Sequence, residues 1–199
     1  MEPGLVCGGQ RAYLRGMSRQ VAEYQGGGAP RGVRVAIAAA RFNGQIVQRL
    51  LTSCRQRLAE LGVDEDGVEI CQVPGAFELP LAAQALARRG RVAAVICLGA
   101  VVRGQTPHFD FVAGQCAAGL ARVGLDHGLP VIFGVLTTNT RQQALDRSGG
   151  RHGDAGRRAA EAAIEMIAVL RKIQGNQQQH PHPNPLPEYR ARGKRKTGR

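Results

Sequence analysis

With 199 residues the chain can bury one sizeable core and is short for two domains. No apolar run approaches the roughly 20 residues that span a bilayer, and the first residues lack the apolar block of about 7–15 residues typical of a secretory signal. A soluble, cytoplasmic protein with no membrane partner is therefore expected. The formal charge of +12 suggests nucleic acid, but residues 176–199 alone hold six Lys and Arg against one acid, so much of it sits at one end.

Residues 1–31 show no sustained periodicity and close on Gly26-Gly-Gly-Ala-Pro30, a flexible N-terminal extension. The apolar run Val33–Ala38 reads as a strand, and Gln45–Leu61 as a helix stopped by Gly62. Val68–Val73 alternates as a second strand, followed by a helix over Leu79–Arg89 closed by Gly90. A third strand is expected over Val92–Leu98, a helix from Pro107 to His127, and a fourth strand over Val131–Leu136. A short helix from Thr140 to Arg147 and a longer one from Gly156 to Ile173 complete the pattern. This alternation predicts an α/β domain over residues 32–175, a four-stranded parallel sheet with helices on both faces. From residue 176 the chain is a Pro/Gln-rich tail ending in the basic Gly193–Arg199. The tail suits non-specific contact with RNA or anionic surfaces, but a solvated, disordered end is the preferred reading. His180 and His182 flank a proline there and do not form a metal pattern.

The helices are rich in Ala and Gly, which permits close packing between copies of the chain but also fits a merely Ala-rich composition. The five cysteines are odd in number and contain no Cys-x-x-Cys pair. Reduced thiols are expected, with neither a metal site nor a disulfide frame.

Each strand ends in a cluster of unusual residues. After the first, Phe42 stands where an aromatic either packs under a loop or stacks on a planar heterocycle. After the second, Pro74 and Gly75 shape a turn, and Phe77 and Glu78 open a helix. Glu78 is either a helix-start carboxylate or a ligand group. After the third comes Gly99-Ala-Val-Val-Arg-Gly-Gln-Thr-Pro-His-Phe-Asp110. Here Thr106 can cap the helix, Pro107 can take its first position, and His108 falls in its first turn, beside any anion bound there. The fourth strand carries Phe133 and is followed by Thr137-Thr-Asn-Thr140, a second capping signal. Four such clusters at the carboxyl edge of one sheet point to a planar substrate between aromatic walls, a phosphate at a helix N-terminus and one histidine as proton carrier. The glycine fingerprints of dinucleotide and NTP sites are absent, as is the Gly-x-Ser-x-Gly elbow of hydrolases.

Arg41-Phe-Asn43, Val73–Pro80, Gly99–Asp110 and Pro130–Thr138 together resemble the signature blocks of the 6,7-dimethyl-8-ribityllumazine synthase family, in order and in spacing, over roughly Arg34–Ile173. The resemblance implies a flavodoxin-like three-layer sandwich. It also implies an enzyme of riboflavin biosynthesis that condenses 5-amino-6-(ribitylamino)uracil with 3,4-dihydroxy-2-butanone 4-phosphate, releasing phosphate and water, with no cofactor and no metal. Carried over by motif, Phe42 would stack on the pyrimidine, and Ala76, Phe77 and Glu78 would hold the ribityl chain. Val101 and Val102 would meet the pyrimidine through their backbone. Gly104, Gln105 and Thr106 would cradle the phosphate, and His108 would move protons. Phe133 and Arg147 would come from an adjacent subunit, Arg147 pairing with the phosphate. At least a homopentamer is implied, with a 60-subunit shell as the larger form and riboflavin synthase as a candidate partner.

One segment departs from the family pattern: Arg151-His-Gly-Asp-Ala-Gly156 stands where the family commonly has a Lys-Ala-Gly-Asn-Lys-Gly-like sequence. Arg151 keeps a cation, Asp154 and Ala155 replace the usual Asn and Lys, and Arg157 or Arg158 is a candidate substitute cation. Two rival readings differ in class. One is a shell or binding protein that keeps the pocket and turns over poorly. The other is a nucleic-acid-binding module, which the charge distribution disfavours.

Overall fold

Val35–Ala40 forms the first strand, β1, and every residue in it is buried, as a central strand covered on both faces requires. The structure, a computed structural model, describes residues 23–179, with side chains to residue 175. Cys7, His180, His182 and the basic end lie outside those residues, as does most of the N-terminal extension. β2 (Val68–Val73) and β3 (Ala94–Val102) flank β1, and β4 (Val131–Thr138) completes a parallel sheet in the order β2-β1-β3-β4. Val35 stands level with both Val68 and Ala94, which sets the register of the inner strands.

The period-two alternation of β1 divides the core into two clusters. Val35, Ile37 and Ala39 face α1 (Gly44–Glu60) and α5 (Ala155–Gln179), packing with Ile46, Leu50, Leu58 and Ile164. Ala36, Ala38 and Ala40 face the opposite layer, α2 (Leu79–Arg88) and α3 (His108–His127), through Leu79, Leu86, Leu120 and Val123. The second face of β1 is all alanine, so bulk on that side comes from the helices rather than the strand. In α1 the buried Ile46, Leu50, Cys54 and Leu58 recur every four residues, the stripe an amphipathic helix turns to its core. Gly62 and Gly90, with φ of 90° and 62°, end α1 and α2 as expected. The result is the α/β three-layer, flavodoxin-like arrangement.

The structure extends several expected elements. β3 continues four residues past Leu98, because Gly99–Val102 pair with Val135–Thr138 of β4, which is itself longer than expected. Between α4 (Arg141–Arg147) and α5 lies a small antiparallel ribbon, β5 (Ser148–Gly150) with β6 (Gly153–Asp154), in a stretch to which the sequence pattern assigns no element. α5 runs to Gln179, beyond the expected end at Ile173. Thr140 caps α4 as expected, its hydroxyl accepting from the Gln143 amide at 3.2 Å.

Cys54, Cys71, Cys97 and Cys116 are free thiols. Burial pushes the Cys54 thiol up to about 12, with the Asp154 charge adding to it, and Cys116 up to about 11. Both are held as neutral, space-filling groups. Among the described residues no helix is long and apolar enough to cross a membrane.

Candidate active site

The carboxyl ends of β1, β2 and β3 converge on a cavity of about 620 Å³. It lies between the adjacent strands β1 and β3, whose onward connections run in opposite directions, from β1 to β2 on one side and from β3 to β4 on the other, the usual place for a ligand in an open parallel sheet.

Hydrogen bonding continues beyond the end of β1, and this sets the first wall. The Arg41 amide donates to Val73 O at 2.8 Å and the Phe42 amide to Pro74 O at 3.0 Å. Asn43 then turns the chain with φ 56°, a left-handed conformation that Asn tolerates better than most residues. Its Nδ2 donates to Ala100 O at 2.8 Å, tying the turn to β3. Phe42, fixed on both sides, lines the cavity and is 70% exposed. Of the two readings of this ring, packing under a loop is not the one observed.

The second wall is the turn Ala76–Glu78 that leads into α2. A Cβ at Gly75 would come within 3.2 Å of Glu78 Oε2, so the glycine leaves space for the carboxylate beside the cavity. Phe77 lines the same cavity with Phe111 of α3, and each ring is more than half exposed. Three large apolar rings left open on one concavity form the kind of surface that a ligand or another chain covers.

The third wall is the end of β3 and the loop after it. Val101 and Val102 lie beside Thr137 and Thr138, and the Arg103 amide donates to Thr138 O at 2.8 Å before the chain leaves the sheet. Gly104, Thr106 and His108 line the cavity, while Gln105 shares the loop without contributing to the wall. Thr106 does not cap α3. Pro107 occupies the N-cap position with φ −65° and ψ 0°, already helical, and no side chain caps the helix. The Asp110 amide donates to Pro107 O at 3.0 Å. Among the described residues the amides of Gly104, Gln105 and Thr106 donate to no group of the chain. Free amides at the positive end of a helix are suited to an anion.

Arg103 was not singled out from sequence. Its Nε donates to Asn139 Oδ1 at 3.1 Å, and its Nη1 and Nη2 grip the Asp110 carboxylate at 3.2 and 2.9 Å. The guanidinium also lies over the Phe109 ring, 4.1 Å from its centre. The hydrogen-bonded guanidinium holds the Asp110 carboxyl below its usual range, and the carboxylate raises Arg103 in turn.

Phe133 and Arg147 do not line this cavity. Phe133 sits on β4, 42% exposed. Arg147 ends α4, its Nη1 donating to Gln143 O of its own chain at 3.1 Å.

The divergent segment has a local explanation. Asp154 Oδ1 accepts from the Gly156 and Arg157 amides at 2.9 and 3.2 Å and from Ser53 Oγ at 2.7 Å. It therefore caps α5 and ties that helix to α1, a role that either Asp or Asn performs well. Arg157 is engaged elsewhere: its guanidinium grips Glu60 at 3.0 and 2.7 Å. Arg158 is exposed, beside Gly153.

Aromatic rings, a carboxylate, an imidazole and unpartnered amides thus surround one cavity at the carboxyl edge of an open parallel sheet, the arrangement of α/β proteins that take small ligands there. A family model described as 6,7-dimethyl-8-ribityllumazine synthase matches residues 32–171. The chain belongs to that family, whose members are transferases of riboflavin biosynthesis with lumazine synthase activity.

Proposed function

We propose that the cavity condenses 5-amino-6-(ribitylamino)uracil with 3,4-dihydroxy-2-butanone 4-phosphate. The observation that carries this reading is the gathering of Phe42, Phe77, Glu78, Gly104, Thr106 and His108, drawn from three separate strand ends, around one space. Phe42 stacks on the pyrimidine ring, and the backbones of Val101 and Val102 meet its polar edge. Ala76, Phe77 and Glu78 hold the ribityl chain, the carboxylate accepting from its hydroxyls. The amides of Gly104, Gln105 and Thr106 receive the phosphate.

The amine of the pyrimidine attacks the ketone carbonyl and a first water leaves as the imine forms. Loss of a carbon-bound proton expels phosphate and leaves an enol that becomes a carbonyl. The ribityl-bearing nitrogen attacks that carbonyl, and a second water leaves as the ring closes. No electrons are exchanged with an outside agent. His108, on the rim beside the phosphate, moves protons between these steps, a contribution of about 10²–10⁴-fold for a positioned imidazole. Amides aimed at the departing phosphate stabilise accumulating charge without having to reorient. Holding both substrates in one cavity removes much of the entropic barrier.

Among the described residues no Lys or Arg lines the cavity, and Arg103 beside it is engaged by Asp110. The reading therefore includes a homo-oligomer, at least a pentamer, in which Phe133 and Arg147 of an adjoining copy complete the site. Shells of 60 subunits and association with riboflavin synthase are larger assemblies compatible with it.

Mixed assemblies test both parts together. Phe42→Ala and Arg147→Ala chains, each nearly inactive alone with the two substrates, should regain activity when co-expressed, because some shared sites then receive both intact residues. Failure of the wild-type chain to form the lumazine product would overturn the reaction. Persistent inactivity of the mixed assemblies would overturn the shared site.

A further inference from the structure

The loop proposed to hold phosphate, Gly104–Thr106, has no hydrogen bond of its own to the sheet. It is anchored at its two ends, by the Arg103 amide on Thr138 O and by the start of α3 at His108. The Arg103 side chain spans between those ends. It grips Asp110 in the first turn of α3 with two nitrogens, reaches Asn139 beyond β4 with the third, and stacks on Phe109 in the cavity wall. Arg103 does not line the cavity, although Val102 and Gly104 on either side of it do.

Resting on the proposed reaction, we infer that Arg103 is a positioning residue for the phosphate: with Asp110 and Asn139 it closes the base of the 104–106 loop and aims its amides. It is not itself a phosphate ligand. All three guanidinium nitrogens already donate within the chain, and the Asp110 carboxylate offsets the positive charge. The planar fork is the property in use, and a lysine cannot reproduce it.

This assignment separates from direct phosphate binding through Asp110. If Arg103 bound phosphate, Asp110→Asn would free the guanidinium and leave phosphate affinity unchanged or higher, and Arg103→Lys would keep most of the affinity. If Arg103 positions the loop, both substitutions weaken phosphate binding to a similar degree.

The test is a double-mutant cycle of Arg103→Lys and Asp110→Asn in the assembled, full-length protein. Affinity for inorganic phosphate is measured by calorimetry, and KM for each substrate in the steady state. Each single variant should lose roughly tenfold in phosphate affinity and in KM for the phosphorylated ketone. KM for the pyrimidine should stay unchanged, and the double variant should be no worse than either single. Additive losses, a gain in Asp110→Asn, or equal effects on both substrates would overturn the inference. The calorimetric arm needs no turnover, so an inactive wild-type chain would remove the proposed reaction while phosphate affinity still decided the role of Arg103.

Discussion

Two helix N-termini in this fold are finished in opposite ways. At α5 the chain supplies its own anion: Asp154 Oδ1 accepts from the Gly156 and Arg157 amides and from Ser53, and the helix seats tightly on α1. At α3 no side chain caps the helix, Pro107 takes the cap position, and the amides just before it are free. The same backbone charge is thus consumed by structure at one end and left open to a ligand at the other. Within the chain, the acid at residue 154 is engaged by the α5 terminus and Ser53 and does not line the cavity at the strand ends.

The open end should respond to substitution in catalysis and the filled end in stability. The largest effect is expected from His108→Ala, which should lower kcat by about 10²–10⁴-fold without moving the thermal midpoint. Steady-state assay beside thermal unfolding checks both parts. Next is Gly156→Ala at the filled end. A Cβ there would overlap Leu50 O and Ser53 Oγ, so unfolding in denaturant should show a loss of about 1–3 kcal/mol. Smaller again, Asp154→Ala should cost about 1 kcal/mol, and Asp154→Asn less, because the amide oxygen still accepts from the helix amides. Turnover per folded site should be unchanged in both variants, and a raised KM for the phosphorylated ketone would break the contrast.

The smallest expected effect concerns pH. Hydrogen bonds from Arg157 and Arg57 hold the exposed Glu60 carboxyl down at about 2, from an ordinary value near 4.5. A carboxyl depressed in the folded state adds stability above its unfolded value, and that stability fades as pH falls through the folded one. Glu60→Gln should therefore be the less stable chain near neutrality, with the gap to the wild type closing as pH falls from about 4.5 to about 2. Because the pair is solvent-exposed, added salt should shrink the difference.

The layers of the fold could be read from local pattern because each element has a clear signal. The four-residue spacing of Ile46, Leu50, Cys54 and Leu58 marks α1, and Gly62 and Gly90 mark where helices stop. The continuation of β3 through Gly99–Val102 was hidden, since Gly99 interrupts the apolar run, loop-like residues follow from Gly104, and the β4 partners lie far along the chain. The β5–β6 ribbon carries no apolar alternation. It follows from the positive φ of Gly149 and Gly153 and from the Asp154 cap. In the site, Phe42, Phe77 and Glu78 could be named because each sits at a strand end beside a helix start. Thr106 was misplaced as a cap because a proline one residue on already holds helical angles. Arg103 was missed because its partners, Asp110 and Asn139, come together only once β3, β4 and α3 are in place.

Diffraction from crystals of the full chain soaked in inorganic phosphate addresses the central contrast most directly. The account predicts an anion on the amides of Gly104–Thr106 and none at Gly156–Arg157. An anion seated at the start of α5, or an empty 104–106 loop in crystals of active enzyme, would contradict it.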